Sequence, residues 1–75
     1  MVLEKLSKII ADQLGMEQNK ITKATLLKEE LLADSLDIVE IIMAIEEEFG
    51  IQVDDEDAIG FKTVGEVVDY IEKNI

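Results

Sequence analysis

The stretch Asp34-Ser35-Leu36-Asp37-Ile38-Val39-Glu40-Ile41-Ile42-Met43-Ala44-Ile45-Glu46-Glu47-Glu48-Phe49-Gly50 decides the fold. Its apolar residues recur at three- and four-residue spacing, the period of a helix and not of a strand. Asp34 stands where an N-cap belongs, and Asp37 follows it in a near capping box. Gly50 suits the left-handed residue that stops a helix. The spacing predicts a helix from about Ser35 to Phe49. On a wheel of about 100° per residue, Ile38, Ile41, Ile42, Ile45 and Phe49 gather within roughly 100° of arc and form the face toward a core. Leu36, Val39 and Met43 fall on the other side, among Glu40, Glu46 and Glu47. Scattered surface hydrophobes would look the same from sequence. A partner-docking surface explains more. Apolar anchors would supply burial, and an acidic rim would steer a basic partner into register.

Upstream, Leu3, Leu6, Ile10 and Leu14, with Val2 and Ile9 beside them, trace one face of a first helix that Gly15 would close. From Met16 to Ala33 the pattern loosens into a long loop. Asn19, Thr22 and Thr25 favour turns there, while Ile21, Leu26, Leu27 and Leu31 would pin the loop to the core. Downstream, Ile51-Gln52-Val53 is a short apolar stretch. Asp54 to Ala58 would start a helix of one to two turns, ended by Gly60. Thr63 and Glu66 make a Thr-x-x-Glu box before a last helix carrying Val64, Val67, Val68, Ile71 and Ile75. Strand alternation is absent. The expectation is an all-α fold: a small four-helix bundle with a long loop between helices 1 and 2 and a short third helix, with residues 1–75 as one domain.

Composition narrows the chemistry. The 75 residues hold 18 acids against 7 lysines, a formal net charge of −11, with no arginine, histidine, cysteine, tryptophan or proline. Lack of histidine and cysteine removes the usual proton shuttle, the thiol nucleophile and the commonest transition-metal ligands. Most enzyme mechanisms are closed to the bare polypeptide. The charge is concentrated: residues 29–75 hold fifteen acids and two lysines. Such a surface repels nucleic acid and anionic membrane and suits basic proteins. The longest uncharged apolar run, Ile41 to Ile45, is far too short to span a bilayer, and the start of the chain has no apolar core of a signal peptide. A cytoplasmic monomer is the expectation. Hydrophobic residues make up 48% of the chain, enough for a packed core.

Ser35 lies at the head of the decisive helix, where free backbone N–H groups and the positive end of the dipole stabilise a phosphoryl group. Serine there is also a common capping residue, so Asp-Ser-Leu alone is weak evidence. Its surroundings are more specific. Ala33-Asp34-Ser35-Leu36-Asp37, then Val39-Glu40, Met43-Ala44 and Glu46-Glu47-Glu48-Phe49-Gly50-Ile51, closely resemble the acyl carrier proteins of dissociated fatty-acid synthesis. The likeness extends to Lys8-Ile9-Ile10 and Gln13-Leu14-Gly15 in the first helix, Asp54-Asp55-Glu56-Asp57-Ala58 in the third, and Thr63-Val64 with Asp69-Tyr70-Ile71 in the last.

The resemblance implies a four-helix fold and a 4′-phosphopantetheine group esterified to Ser35 by a phosphopantetheinyl transferase that uses coenzyme A. Acyl chains would ride as thioesters on the arm, which explains a carrier without cysteine, and could slip between the helices. The chain would be a carrier and not an enzyme. Its partners would be the transferase and basic-surfaced enzymes of fatty-acid synthesis, docking on Asp34, Leu36, Asp37, Val39, Glu40, Met43 and Glu47. Three places depart from the family pattern. Leu32 stands where the family has glycine, a residue free to adopt backbone angles that leucine resists. Asp54 stands where proline is frequent, and Ile59 with Gly60 where charged residues are usual.

Two kinds of alternative follow from the same residues. Carriers of polyketide, peptide-synthesis and D-alanine pathways share the Ser-Leu core, but the strongly acidic second helix favours the fatty-acid type. In a different class, a small calcium protein would use an EF-hand spacing from Asp55: acids at Asp55 and Asp57, then Gly60, Thr63 and Glu66. Ile59 fails as a side-chain ligand in that series, and no specific metal site is expected. A carboxylate-pair hydrolase would find little room for a substrate cleft in so short a chain.

Overall fold

Two reciprocal caps place the two long helices of the second half. Asp34 has an extended backbone (φ −86°, ψ −177°), and its Oδ1 accepts the Asp37 N–H at 2.9 Å. Asp37 returns the bond, accepting the Asp34 N–H at 3.3 Å. Thr63 and Glu66 repeat the device: Thr63 Oγ1 accepts the Glu66 N–H at 3.2 Å, and Glu66 Oε1 accepts the Thr63 N–H at 3.3 Å. The computed structural model, which describes residues 2–75, has these helical elements: α1 (Val2–Leu14), a 3-10 turn (Gln18–Lys20), α2 (Ser35–Phe49), α3 (Asp55–Gly60) and α4 (Val64–Asn74). Gly15 and Gly50 stop α1 and α2 in the left-handed region, both at φ +67°. The sole strand-like pairing among the described residues is an isolated bridge between Leu26 and Thr63.

The core is aliphatic. Leu6 and Ile10 of α1, Ile45 of α2, and Val64 and Ile71 of α4 are fully enclosed. Ile41, Val67, Val68, Val53 and Phe61 complete it. α1 packs on both α2 and α4, while α3 touches α2. Phe61 meets Tyr70 edge to face at 5.6 Å between ring centroids, and the Tyr70 hydroxyl donates to the Gln52 carbonyl at 3.3 Å.

The long loop is held mostly by its backbone. The first N–H groups of α4, which have no partner within their own helix, donate to it: Val64 to the Thr25 carbonyl at 3.0 Å and Gly65 to the Lys23 carbonyl at 2.8 Å. A Cβ at Gly65 would sit 3.0 Å from that same Lys23 oxygen, so the close approach depends on glycine. Leu27 donates to the Lys62 carbonyl at 2.9 Å. Ile21 and Leu27 are buried as expected and Leu31 packs against the core. Leu26 differs: it is only half-buried, because its place is fixed by the backbone bridge to Thr63.

Two expectations need correction. Ile38, Ile42 and Phe49, assigned to the buried arc, are only half-buried. α3 is six residues long, and its N-cap Asp54 makes no side-chain capping bond. So short a helix leaves Ile38 and Ile42 facing an open groove. The second correction concerns Ile75, which the sequence places on the apolar face of the last helix: α4 ends at Asn74 and Ile75 is exposed. In the loop before α2, Leu32 adopts the left-handed region, at φ +56°. The strain costs leucine about 1 kcal/mol or more.

Candidate functional site

Ser35 is the first helical residue of α2 and is exposed. The capping bonds are made by Asp34 and Asp37, not by Ser35. The helix therefore does not need the Ser35 hydroxyl, and the purely structural explanation of this serine falls away. Beside it opens a groove of about 720 Å³ between α2 and α3. Ser35 lies at its edge, and Ile38, Val39, Ile42, Met43, Val53, Ala58 and Ile59 supply a mainly apolar lining. This volume is in the range of small-molecule sites. In the interior, a cavity of about 10 Å³ among Leu6, Ile10, Ile45 and Val67 is at the limit for one water.

These features fit a phosphopantetheine group. A phosphodiester on Ser35 Oγ would meet the free N–H groups and positive dipole end of a fifteen-residue helix. An arm leaving Ser35 would find the groove next to it.

The outward face of α2 is apolar where the wheel placed it. Leu36, Val39 and Met43 are 65%, 53% and 61% exposed, and Glu40 and Glu47 are exposed among them. Four carboxylates have additional duties. Asp34 and Asp37 form the cap, so Asp37 is half-buried. Glu40 accepts a hydrogen bond from Gln13 Nε2, which ties its orientation to α1. Glu46 turns inward, and its Oε2 accepts the Val53 N–H at 3.0 Å. Glu46 thus belongs to the fold more than to the rim.

Two exposed hydrophobes near Ser35 were not assigned to a site from sequence: Leu32 at 77% and Ile59 at 72% exposure. Both stand where the family pattern is broken, which was the available signal. Gln13 carried none, because its partner is distant in sequence.

The calcium alternative fails on geometry. Its first six loop positions, Asp55–Gly60, are helical. Its last ligand, Glu66, already accepts the Lys62 and Thr63 N–H groups at 3.3 Å each. No helix among the described residues is long and apolar enough to cross a membrane.

Comparison with known proteins agrees with this geometry. Residues 4–71 match the family model described as a phosphopantetheine attachment site. The chain is 54% identical over 70 residues to acyl carrier proteins of Clostridium perfringens, covering 93% of this chain and 92% of the relative. Among solved structures, the acyl carrier protein of Enterococcus faecalis superposes with a TM-score of 0.83 at 40% identity, covering 99% of this chain and 94% of that one.

Proposed function

This chain belongs to the acyl carrier proteins, a family with a phosphopantetheine attachment site, and from that premise we propose that it carries fatty-acid synthesis intermediates as thioesters on a 4′-phosphopantetheine arm esterified to Ser35. The observation that carries this reading is an exposed hydroxyl, released from capping by Asp34, at the edge of an apolar groove. In the loading step, Ser35 Oγ forms a bond to the phosphorus that bears the pantetheine of coenzyme A. The diphosphate bridge breaks, adenosine 3′,5′-bisphosphate leaves with the electron pair, and the Oγ proton passes to a base of the transferase. The group then supplies the thiol that this cysteine-free chain lacks. α2 holds the attachment point rigid, and the acidic rim keeps the arm's surroundings attractive to basic enzymes. The acidity of α2 favours a fatty-acid pathway over related carrier pathways.

Incubation with a phosphopantetheinyl transferase and coenzyme A tests the reading by intact mass. One added phosphopantetheine per chain is expected. A chain that stays unmodified under conditions that load a known carrier contradicts it.

Docking is proposed on Leu36, Val39 and Met43, framed by Asp37, Glu40 and Glu47. Glu40→Lys should slow association with a basic partner enzyme, with the deficit shrinking as salt rises. Met43→Ala should weaken docking yet change stability by no more than about 0.5 kcal/mol, because the side chain is 61% exposed. Stopped-flow association and a melting curve check the pair. A loss of several kcal/mol in Met43→Ala would return Met43 to the core.

A further inference from the structure

Leu32 combines two unfavourable features. Its backbone is in the left-handed region at φ +56°, and its side chain, 77% exposed, is the most exposed large hydrophobic one among the described residues. The strain brings the fold no compensating burial. A strained residue that persists without stabilising its own structure points to a function met outside it. Its place says which. Leu32 is three residues before Ser35, and three residues of chain span at most about 11 Å. Leu36, also exposed, follows Ser35 directly. Asp34 and Asp37 stand between and beside them as an acidic frame.

We propose that Leu32 is a contact residue for the phosphopantetheinyl transferase, seated in an apolar depression of that enzyme beside the basic surface that faces Asp34 and Asp37. The proposal rests on Ser35 as the attachment point. A transferase must bring the phosphorus of coenzyme A to bonding distance of Ser35 Oγ, so its surface has to cover the loop that carries Leu32. Enzymes that work on the acyl group meet the far end of a flexible arm and are under no such requirement. Leu32 therefore governs loading more than later steps, and it adds an apolar contact that salt does not screen.

Leu32→Gly and Leu32→Asn test this, since glycine and asparagine both tolerate the left-handed region while removing the apolar side chain. With a transferase that loads the parent chain, the KM for the carrier should rise about ten-fold in both variants, the lost burial of one leucine side chain. The rise should persist at high salt, whereas that of Glu40→Lys should fade. The melting midpoint of Leu32→Gly should rise through relief of strain. Ile75→Ala, which removes an exposed hydrophobe beside Phe49, at the opposite end of α2 from Ser35, should leave the KM unchanged. A KM within two-fold of the parent in both Leu32 variants overturns the proposal, and so does a lowered midpoint in Leu32→Gly. If the parent dimerises, the variants do not, and transfer kinetics are unchanged, Leu32 belongs to contact with a second copy and the proposal also fails. In each of these cases the mass gain of the parent shows separately that the carrier reading stands.

Discussion

Ser35→Ala is expected to abolish phosphopantetheine transfer outright while leaving the melting midpoint essentially in place. The two halves of this result have separate causes. Transfer needs an oxygen nucleophile at this position, and alanine has none. Stability does not need it, because Asp34 and Asp37 make the cap. Alanine is also a better helix former than serine. The change should fall within about 0.5 kcal/mol. Asp34→Ala should behave differently: loss of the actual cap should cost about 1 kcal/mol, with Asp37 left without its reciprocal bond. Intact mass after transferase treatment and paired melting curves distinguish these outcomes. Modification that persists in Ser35→Ala would place the arm elsewhere and remove the basis of the carrier assignment at this serine.

The contrast between Ser35 and Asp34 also shows what a sequence displays and what it conceals. The bounds of α2 and the start of α4 are legible because their determinants are local: Asp34 with Asp37, Thr63 with Glu66, and a glycine at the left-handed stop after α2. The outward set Leu36, Val39 and Met43 followed from helical period alone. What escaped was set by distant packing. Ile38 and Ile42 have the period of core residues, but how far they are buried depends on how much of α2 the short α3 covers. Glu40 reads as a free rim charge until α1 brings Gln13 against it. Glu46 reads the same way until the chain after Gly50 returns and presents the Val53 N–H. The conformation of Leu32 is imposed by closure of its loop. The Glu30 and Leu31 N–H groups both reach back to the Leu26 carbonyl, and Ala33, buried at 4% exposure, donates to the Leu27 carbonyl at 3.1 Å. A chain that coils through one turn and then reverses needs a left-handed residue at the reversal. The turn calls for that backbone angle but not for a leucine, which gains no burial there.

Attachment of saturated acyl chains to the loaded carrier is expected to raise the melting midpoint stepwise with length and then to level off. The groove between α2 and α3 exists without opening the packed core, so the usual cost of separating close-packed side chains is largely absent. Ile38, Ile42, Val53, Ala58 and Ile59 offer apolar walls. Each methylene that leaves water there should stabilise the folded state by about 0.8 kcal/mol, so four would contribute about 3 kcal/mol. That is a large share of what a domain of this size has in reserve. An unfolded chain offers no such groove, so the gain acts on the folded state alone. The plateau should come where a longer chain projects beyond Ile59 into solvent. Ala58→Phe, which fills part of the groove from α3, should bring the plateau to shorter chains without preventing loading at Ser35. A midpoint that does not change from short to medium acyl chains would mean that the cargo stays in water. The groove would then serve the arm or a partner and not the acyl chain, and the half-burial of Ile38 and Ile42 would reflect only the shortness of α3.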